Sequence, residues 1–226
     1  MRPKLKVQCE LCPKRCLIEP GQSGECRVRI NIDGVLRTVV YGYPCSIHSD
    51  PIEKKPLFHF LPGSKILSIA TVGCNLHCRN CQNWEISQAN PEDSQATLLP
   101  PEELVALTKR YHYPSLAYTY TDPIIFYEYT CDTAKLAGQA DIRNVLVTAG
   151  YINEEPWKRL LEYIDAVNID LKGITDDFYI RVCSGTLKPV QKALVLAKAS
   201  GVLVEVTNLI IPTLNDKPEE IGELAR

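Results

Sequence analysis

The chain has 226 residues, 45% of them hydrophobic and 23% charged, with a formal net charge of −2 at pH 7. That length suits one large domain, or one domain with a small companion, and the slight acidic balance argues against nonspecific nucleic-acid binding as the main activity. No apolar run approaches the roughly 18 residues that span a membrane, and the N-terminus lacks the apolar segment of a signal peptide. A cytoplasmic protein is expected, and its ten cysteines then point to metal ligation rather than disulfides.

Residues 1–62 read as a small Cys-rich unit. Cys9, Cys12, Cys16 and Cys26 follow the spacing C-x2-C-x3-C-x9-C. Such a set would close a tetrahedral zinc site or hold an iron–sulfur cluster. The plainer alternative is that some are ligands and the rest are core thiols. A hairpin follows, because Asp33-Gly34 sits between the β-rich runs 27–30 and 35–41 and both turn residues accept positive φ. In Asp50-Pro-Ile-Glu-Lys-Lys-Pro-Leu-Phe-His-Phe60 two interior prolines exclude a regular helix. His48 and His59 read as packed or exposed side chains rather than ligands.

Residues 63–226 alternate strand and helix. Strands are expected at 66–71, 115–120, 144–148, 166–171 and 202–211. Helices are expected from Pro101, from Pro123 to about Gly138, and over 154–163, 188–199 and 217–226, with a polar loop over 88–100. Five β-α repeats imply an α/β fold with a parallel sheet, whose chemistry gathers at the C-terminal strand ends. Those ends carry a cysteine loop, Asp122, Thr148, Asp170, Lys172 and the Asn208 region.

The cysteine loop is Thr71-Val-Gly-Cys-Asn-Leu-His-Cys-Arg-Asn-Cys-Gln-Asn-Trp-Glu85. Cys74, Cys78 and Cys81 are spaced C-x3-C-x2-C, and Cys45 and Cys131 lie far along the chain. Three thiolates on one short loop converge on a soft metal centre. A ferredoxin-type cubane takes four cysteine ligands, so three leave one iron open to a substrate or cofactor.

The loop, placed after a first strand, resembles that of the radical S-adenosylmethionine (SAM) superfamily over residues 65–226. More narrowly, the chain resembles the AmmeMemoRadiSam-system radical SAM enzymes, relatives of the pyruvate formate-lyase activating enzymes. The N-terminal cysteines, the 50–60 stretch, Cys81-Gln-Asn-Trp-Glu-Ile-Ser87 and Tyr118-Thr-Tyr-Thr-Asp-Pro-Ile-Ile-Phe-Tyr-Glu-Tyr129 carry that likeness. It implies a partial (β/α) barrel with five strands present and a sixth after the fifth helix apparently missing. It implies a [4Fe–4S] cluster on Cys74, Cys78 and Cys81, with SAM chelated at the open iron. One electron would cleave SAM to a 5′-deoxyadenosyl radical that abstracts hydrogen from a substrate. An electron donor such as flavodoxin or ferredoxin, and a substrate protein or small molecule, are implied as partners of this oxidoreductase-type enzyme.

The family's second-strand Gly-Gly-Glu matches Tyr120-Thr121-Asp122, so Asp122 is expected at the SAM ammonium, or as the cap of the following helix. Thr148 and the Asp170-x-Lys172 pair match positions near SAM. Asn80 stands where the family usually has an aromatic residue before the third cysteine, and Trp84 reads as core. Cys183 reads as a loop thiol, with a hydrogen-atom donor as the sharper alternative. Glu205 and Thr207 are expected to face a polar lumen. Two competing readings are a non-enzymatic zinc-binding interaction module and a radical SAM enzyme modifying RNA.

Overall fold

The computed structural model describes residues 5–226. Its centre is a six-stranded sheet. Strands β1 (Val7–Gln8), β2 (Leu17–Ile18), β3 (Arg29–Ile32) and β4 (Val35–Thr38) lie outside it. Inside it are β5 (Ser46–Pro51), β6 (Lys65–Ala70), β7 (Ser115–Tyr118), β8 (Arg143–Thr148), β9 (Ala166–Asp170) and β10 (Leu203–Thr207), in the spatial order β10-β9-β8-β7-β6-β5. The five strands β6–β10 are parallel, as the β-α alternation predicts. β7 is buried at every position and β6 at all but Lys65, the pattern of strands covered on both faces.

The helices are α1 (Trp84–Ser87), α2 (Pro101–Arg110), α3 (Tyr127–Gln139), α4 (Glu154–Leu161), α5 (Asp176–Phe178), α6 (Leu187–Ala199) and α7 (Pro218–Leu224). Pro101 is the first residue of α2, where its missing N–H costs nothing. On the outer face the largest buried side chain is Trp157, whose Nε1 donates to the Ala193 carbonyl at 2.9 Å and ties α4 to α6. Among the described residues no helix is long and apolar enough to cross a membrane.

Three elements depart from the sequence expectation. The helix after Pro123 begins only at Tyr127, because residues 122–126 form a turn in which Asp122 accepts from Ile124 N–H. β10 ends at Thr207 rather than 211; beyond it Asn208 Nδ2 bonds the Leu171 carbonyl and turns the chain away. β5, which composition groups with the N-terminal unit, pairs antiparallel with β6 along its whole length and extends the main sheet.

The concave face of the sheet has an apolar floor. Ala117, Val145 and Ala166 share one row of the register with Ser68, and Ile52 and Leu57 pack over this layer from the 50–60 segment. Asn168 Nδ2 bonds the Pro56 carbonyl at 3.0 Å. Glu205 accepts from the Phe58 and His59 amides at 2.9 Å each. Glu205 thus lies on the concave face, as expected, and there it fastens the plug, while Thr207, two residues further along, lines the cleft. The segment closes the N-terminal end of the half-barrel and leaves the C-terminal strand ends open.

The N-terminal unit is two small hairpins. β1 and β2 pair, and β3 and β4 turn at Asp33 and Gly34, with φ of 52° and 84°. Arg29 forks onto Glu128 of α3 at 2.8 and 2.6 Å, a bidentate geometry that fixes orientation as well as distance.

Candidate active site

A cleft of about 550 Å3 opens at the C-terminal ends of β6–β10, within the roughly 300–1,000 Å3 span of small-molecule sites. Cys74, Cys78, Cys81, Asp122, Thr148, Asp170 and Lys172 all line it, with Thr207. The structure thus brings together the loop thiols and the four polar strand-end residues singled out in sequence.

The cysteine loop is held from several sides. Thr121 Oγ1 donates to the Thr71 carbonyl at 2.9 Å. Asn75 Nδ2 donates to the Tyr151 carbonyl at 2.8 Å, and Asn83 Nδ2 to the Tyr120 carbonyl at 2.7 Å. His77 and Arg79 amides donate to the Cys183 and Val182 carbonyls at 3.0 and 2.9 Å. Leu76 N–H points at Cys74 Sγ at 3.5 Å. Gly73 enters the loop at φ 92°, and a Cβ there would sit 2.5 Å from the Cys26 carbonyl oxygen and 2.7 Å from Val28 Cγ1. Gly73→Ala is expected to cost on the order of 2–4 kcal/mol, from handedness and overpacking together, read as a lowered urea midpoint.

The thiols differ in environment. Burial, reinforced by Asp122, pushes the Cys74 thiol up. A hydrogen bond from Cys183 outweighs burial at Cys78 and, with Lys172, draws that thiol down. Cys183 is fully buried and does not line the cleft. Sequence spacing offered no fourth cysteine near the loop; the turn 179–183 after β9 brings one against Cys78.

Asp122 is the most engaged polar group. Its Oδ1 accepts from Thr148 Oγ1 at 2.8 Å and from Ile124 N–H at 3.1 Å, and its Oδ2 accepts from Ala149 N–H at 3.0 Å. Burial raises its pKa, and these donors only partly offset that. A carboxylate has about four lone-pair sites, so three donors leave one acceptor position on a residue that lines the cleft. Tyr120, two residues earlier, sits at φ 62°, a conformation that costs a non-glycine residue roughly 1–2 kcal/mol. Its side chain is anchored at both ends: the hydroxyl donates to Asp50, and Lys55 Nζ lies 4.2 Å from the ring centroid.

Asp170 Oδ2 accepts from Lys172 Nζ at 2.9 Å. Burial works to lower the Lys172 pKa, but Asp170 and the nearby thiols hold it above its ordinary value. Lys54, Lys55 and Tyr120 also line the cleft, a part of the site that sequence reasoning did not assign. The signal was the Lys54-Lys55 pair between Pro51 and Pro56, read as a helix-excluding stretch and as part of the family likeness but given no role in the site. Asn80 lines the cleft, whereas Trp84 is 61% exposed and is not core. His48 is exposed and meets Tyr120 edge-on at 5.8 Å; His59 is exposed beside Glu205.

Among the described residues no three His, Cys, Asp or Glu side chains are grouped as an ion's ligands. The donor set nevertheless fits a soft cluster: three thiols of one loop share a cleft wall, and an amide points at one sulfur. Paired anions and cations on the surrounding walls fit a zwitterionic ligand.

The chain is 48% identical to uncharacterized protein MJ0808 of Methanocaldococcus jannaschii over 216 residues, covering 96% of this chain and 64% of that protein. It is 25% identical to the pyruvate formate-lyase-activating enzyme of Clostridium pasteurianum over 158 residues, covering 68% of this chain and 65% of that enzyme. The chain thus spans just under two thirds of these relatives. In fold it is similar to Streptococcus suis SuiB bound to S-adenosylmethionine, with TM-score 0.53 and 13% identity over 71% of this chain and 34% of that one. It is likewise similar to a radical SAM methyltransferase from Sphaerobacter thermophilus, with TM-score 0.53 and 17% identity over 74% of this chain and 53% of that one. The radical SAM superfamily model matches residues 68–226, which hold the end of β6, the cysteine loop and all of β7–β10, and the chain belongs to that superfamily.

Proposed function

We propose that this chain is the catalytic core of a radical SAM enzyme, with Cys74, Cys78 and Cys81 holding a [4Fe–4S] cluster and the cleft holding SAM. The observation that carries this is the convergence of three loop thiols and a buried carboxylate on one cleft. When bound, cluster and cofactor together supply one-electron cleavage of a sulfonium and a carbon radical able to abstract hydrogen.

The chain's own residues bind, orient and shield. Asp122 offers its open acceptor position to the methionine ammonium. Thr148 and the Ala149 amide keep that carboxylate aimed. Lys172, oriented by Asp170, presents a cation to the cofactor's anionic side. The 50–60 plug keeps water out from below, which protects reactive intermediates. Lys54, Lys55 and Tyr120 leave a cationic, aromatic wall for the substrate side.

Within the superfamily, the likeness to the Clostridium pasteurianum enzyme supports an activating-enzyme-like oxidoreductase. Its substrate would be a glycyl residue of a partner protein, and flavodoxin or ferredoxin its reductant. The AmmeMemoRadiSam-type placement rests on the N-terminal cysteines and the 50–60 stretch, and division at residue 62 on composition.

The test is anaerobic reconstitution with iron and sulfide, followed by dithionite and SAM. 5′-Deoxyadenosine and methionine should form, and should be absent from a Cys78→Ala chain. A wild-type chain that loads iron and sulfide yet yields no 5′-deoxyadenosine would overturn the proposal, as would one that takes up zinc alone.

A further inference from the structure

The N-terminal cysteines form a second convergence that the proposed SAM chemistry does not use. Cys9, Cys12, Cys16 and Cys26 all line one void, and none of its lining residues lines the cleft. Cys74 faces the cleft, whereas its neighbour Asn75 faces the void. Leu11, Ile18, Ile124 and Ile125 give the void an apolar shell.

The backbone gathers these thiols from two loops. Pairing of β1 with β2 sets Cys9 N–H on the Cys16 carbonyl at 2.9 Å, and Arg15 N–H closes onto the Cys12 carbonyl at 3.1 Å. In the second loop Arg27 N–H closes onto the Gly24 carbonyl at 2.9 Å. Each loop carries a left-handed arginine next to a cysteine, Arg15 at φ 45° and Arg27 at φ 69°. Such residues cost roughly 1–2 kcal/mol each, and persist where the surroundings over-determine them.

Charge supplies the independent observation. Arg29 lines the void at 8% exposure, and its Nε is buried with no hydrogen-bond partner. Its other nitrogens serve Glu128. A metal with four thiolates is a dianion, and its sulfurs would accept from that orphaned N–H as outer-shell partners do. The open space between the side chains suits about one water-sized particle, which fits a single ion better than a cubane.

We infer that Cys9, Cys12, Cys16 and Cys26 bind one tetrahedral zinc ion, each thiol releasing its proton to solvent on coordination. The ion sits behind the cluster loop. The Cys26 carbonyl contacts Gly73, and Asn153 donates from its amide to Leu11 at 3.0 Å and from its side chain to Glu10 at 2.7 Å. Zinc therefore fixes the N-terminal unit against the loop that carries the other three thiols.

The test uses the full chain carrying Cys74→Ala, Cys78→Ala and Cys81→Ala, so its outcome does not depend on SAM cleavage. Elemental analysis should find one zinc per chain and neither iron nor sulfide, even after anaerobic reconstitution. Cobalt exchanged into the emptied site should give the charge-transfer and d–d bands of a tetrahedral thiolate centre. Iron with sulfide retained in this variant would replace zinc by a second cluster and overturn the inference; absence of any metal and of the cobalt bands would remove the site. Zinc-edge absorption of the wild-type chain guards against misfolding of the triple variant. Four sulfurs at about 2.3 Å are expected, and oxygen or nitrogen ligands, or no zinc, would overturn the inference. A folded Cys12→Ser chain should lose zinc to a chelator at least tenfold faster, and retention at the wild-type rate contradicts it.

Discussion

An Asp50→Ala chain is expected to lose about 3–5 kcal/mol of stability, the cost of stranding one member of a buried ion pair. Asp50 is 4% exposed and Lys55 1%. Lys55 Nζ lies 2.6 Å from Asp50 Oδ2, and Lys54 Nζ lies 2.8 Å from Oδ1. Removing the carboxylate leaves the Lys55 ammonium with only the Tyr120 ring beside it, and frees the tyrosine that holds a left-handed backbone. Burial pushes Asp50 up, but hydrogen bonds from Lys54, Lys55 and Tyr120 outweigh it and hold it well below the usual carboxylate range. A depressed carboxylate contributes stability that is present above its unfolded value, about 3.9, and lost as pH falls toward the folded value. The gap between wild type and variant should therefore narrow in acid. Burial already lowers Lys55, with Asp50 opposing it. In the variant that opposition is gone, so its stability should rise as pH climbs toward the unfolded lysine value, about 10.4. Urea unfolding across a pH series measures both limbs. Asp50→Ala/Lys55→Met should recover most of the loss. A single variant within about 1 kcal/mol of wild type would show that the pair behaves as a solvated one.

This pair also marks where the sequence stopped being readable. The strands β6–β9 were legible because burial turns them into apolar runs, and Asp122, Thr148 and Asp170 beyond or at the ends of β7, β8 and β9 do line the cleft, whereas Asn208 beyond β10 does not. The cysteine loop was legible from spacing alone, and the hairpin at Asp33-Gly34 from its dipeptide. β5 was not, because in Ser46–Pro51 only Asp50 is buried, and an edge strand whose sole buried residue is charged carries no alternation to detect. Cys183 reaches Cys78 only through the turn after β9, a tertiary contact that no local spacing encodes. Trp84 looked like core because aromatic rings usually are, yet α1 leaves it exposed on the outer side of the loop. Glu205 alternates with apolar neighbours as a lumen residue would, but the plug it fastens comes from a segment almost 150 positions earlier. Periodicity gives the face of a strand, and only the packed structure gives what occupies that face.

Asp122 does not cap α3, whose first residue is Tyr127; it anchors the preceding turn, and its substitutions are expected to separate that role from a cofactor contact. As an anchor of the turn, it needs one acceptor oxygen for Ile124 N–H and Thr148 Oγ1, which Asn keeps, while only the Ala149 N–H loses its acceptor. As the partner of an ammonium it needs charge. Asp122→Asn in the anaerobically reconstituted chain should therefore keep most of its stability while SAM affinity falls about 10–100-fold, the value of a charge-assisted hydrogen bond of 1.5–3 kcal/mol. Asp122→Ala should lose affinity to at least the same extent. It should also cost about 1–3 kcal/mol of stability, because the Ala149 amide and the Thr148 hydroxyl are left without an acceptor. Calorimetric titration with SAM, with iron and sulfide content matched between samples, reads the first effect, and urea unfolding reads the second. The pH dependence adds a signature that an anchor of the turn lacks. Burial raises the Asp122 pKa in the free protein, so SAM affinity in wild type should decline on acidification at a higher pH than an ordinary carboxylate near 3.9 would dictate, and Asp122→Asn should flatten that decline. An Asn variant that binds SAM as wild type does, with an unchanged pH profile, would assign Asp122 to the turn alone and leave the ammonium to the backbone at the end of β7.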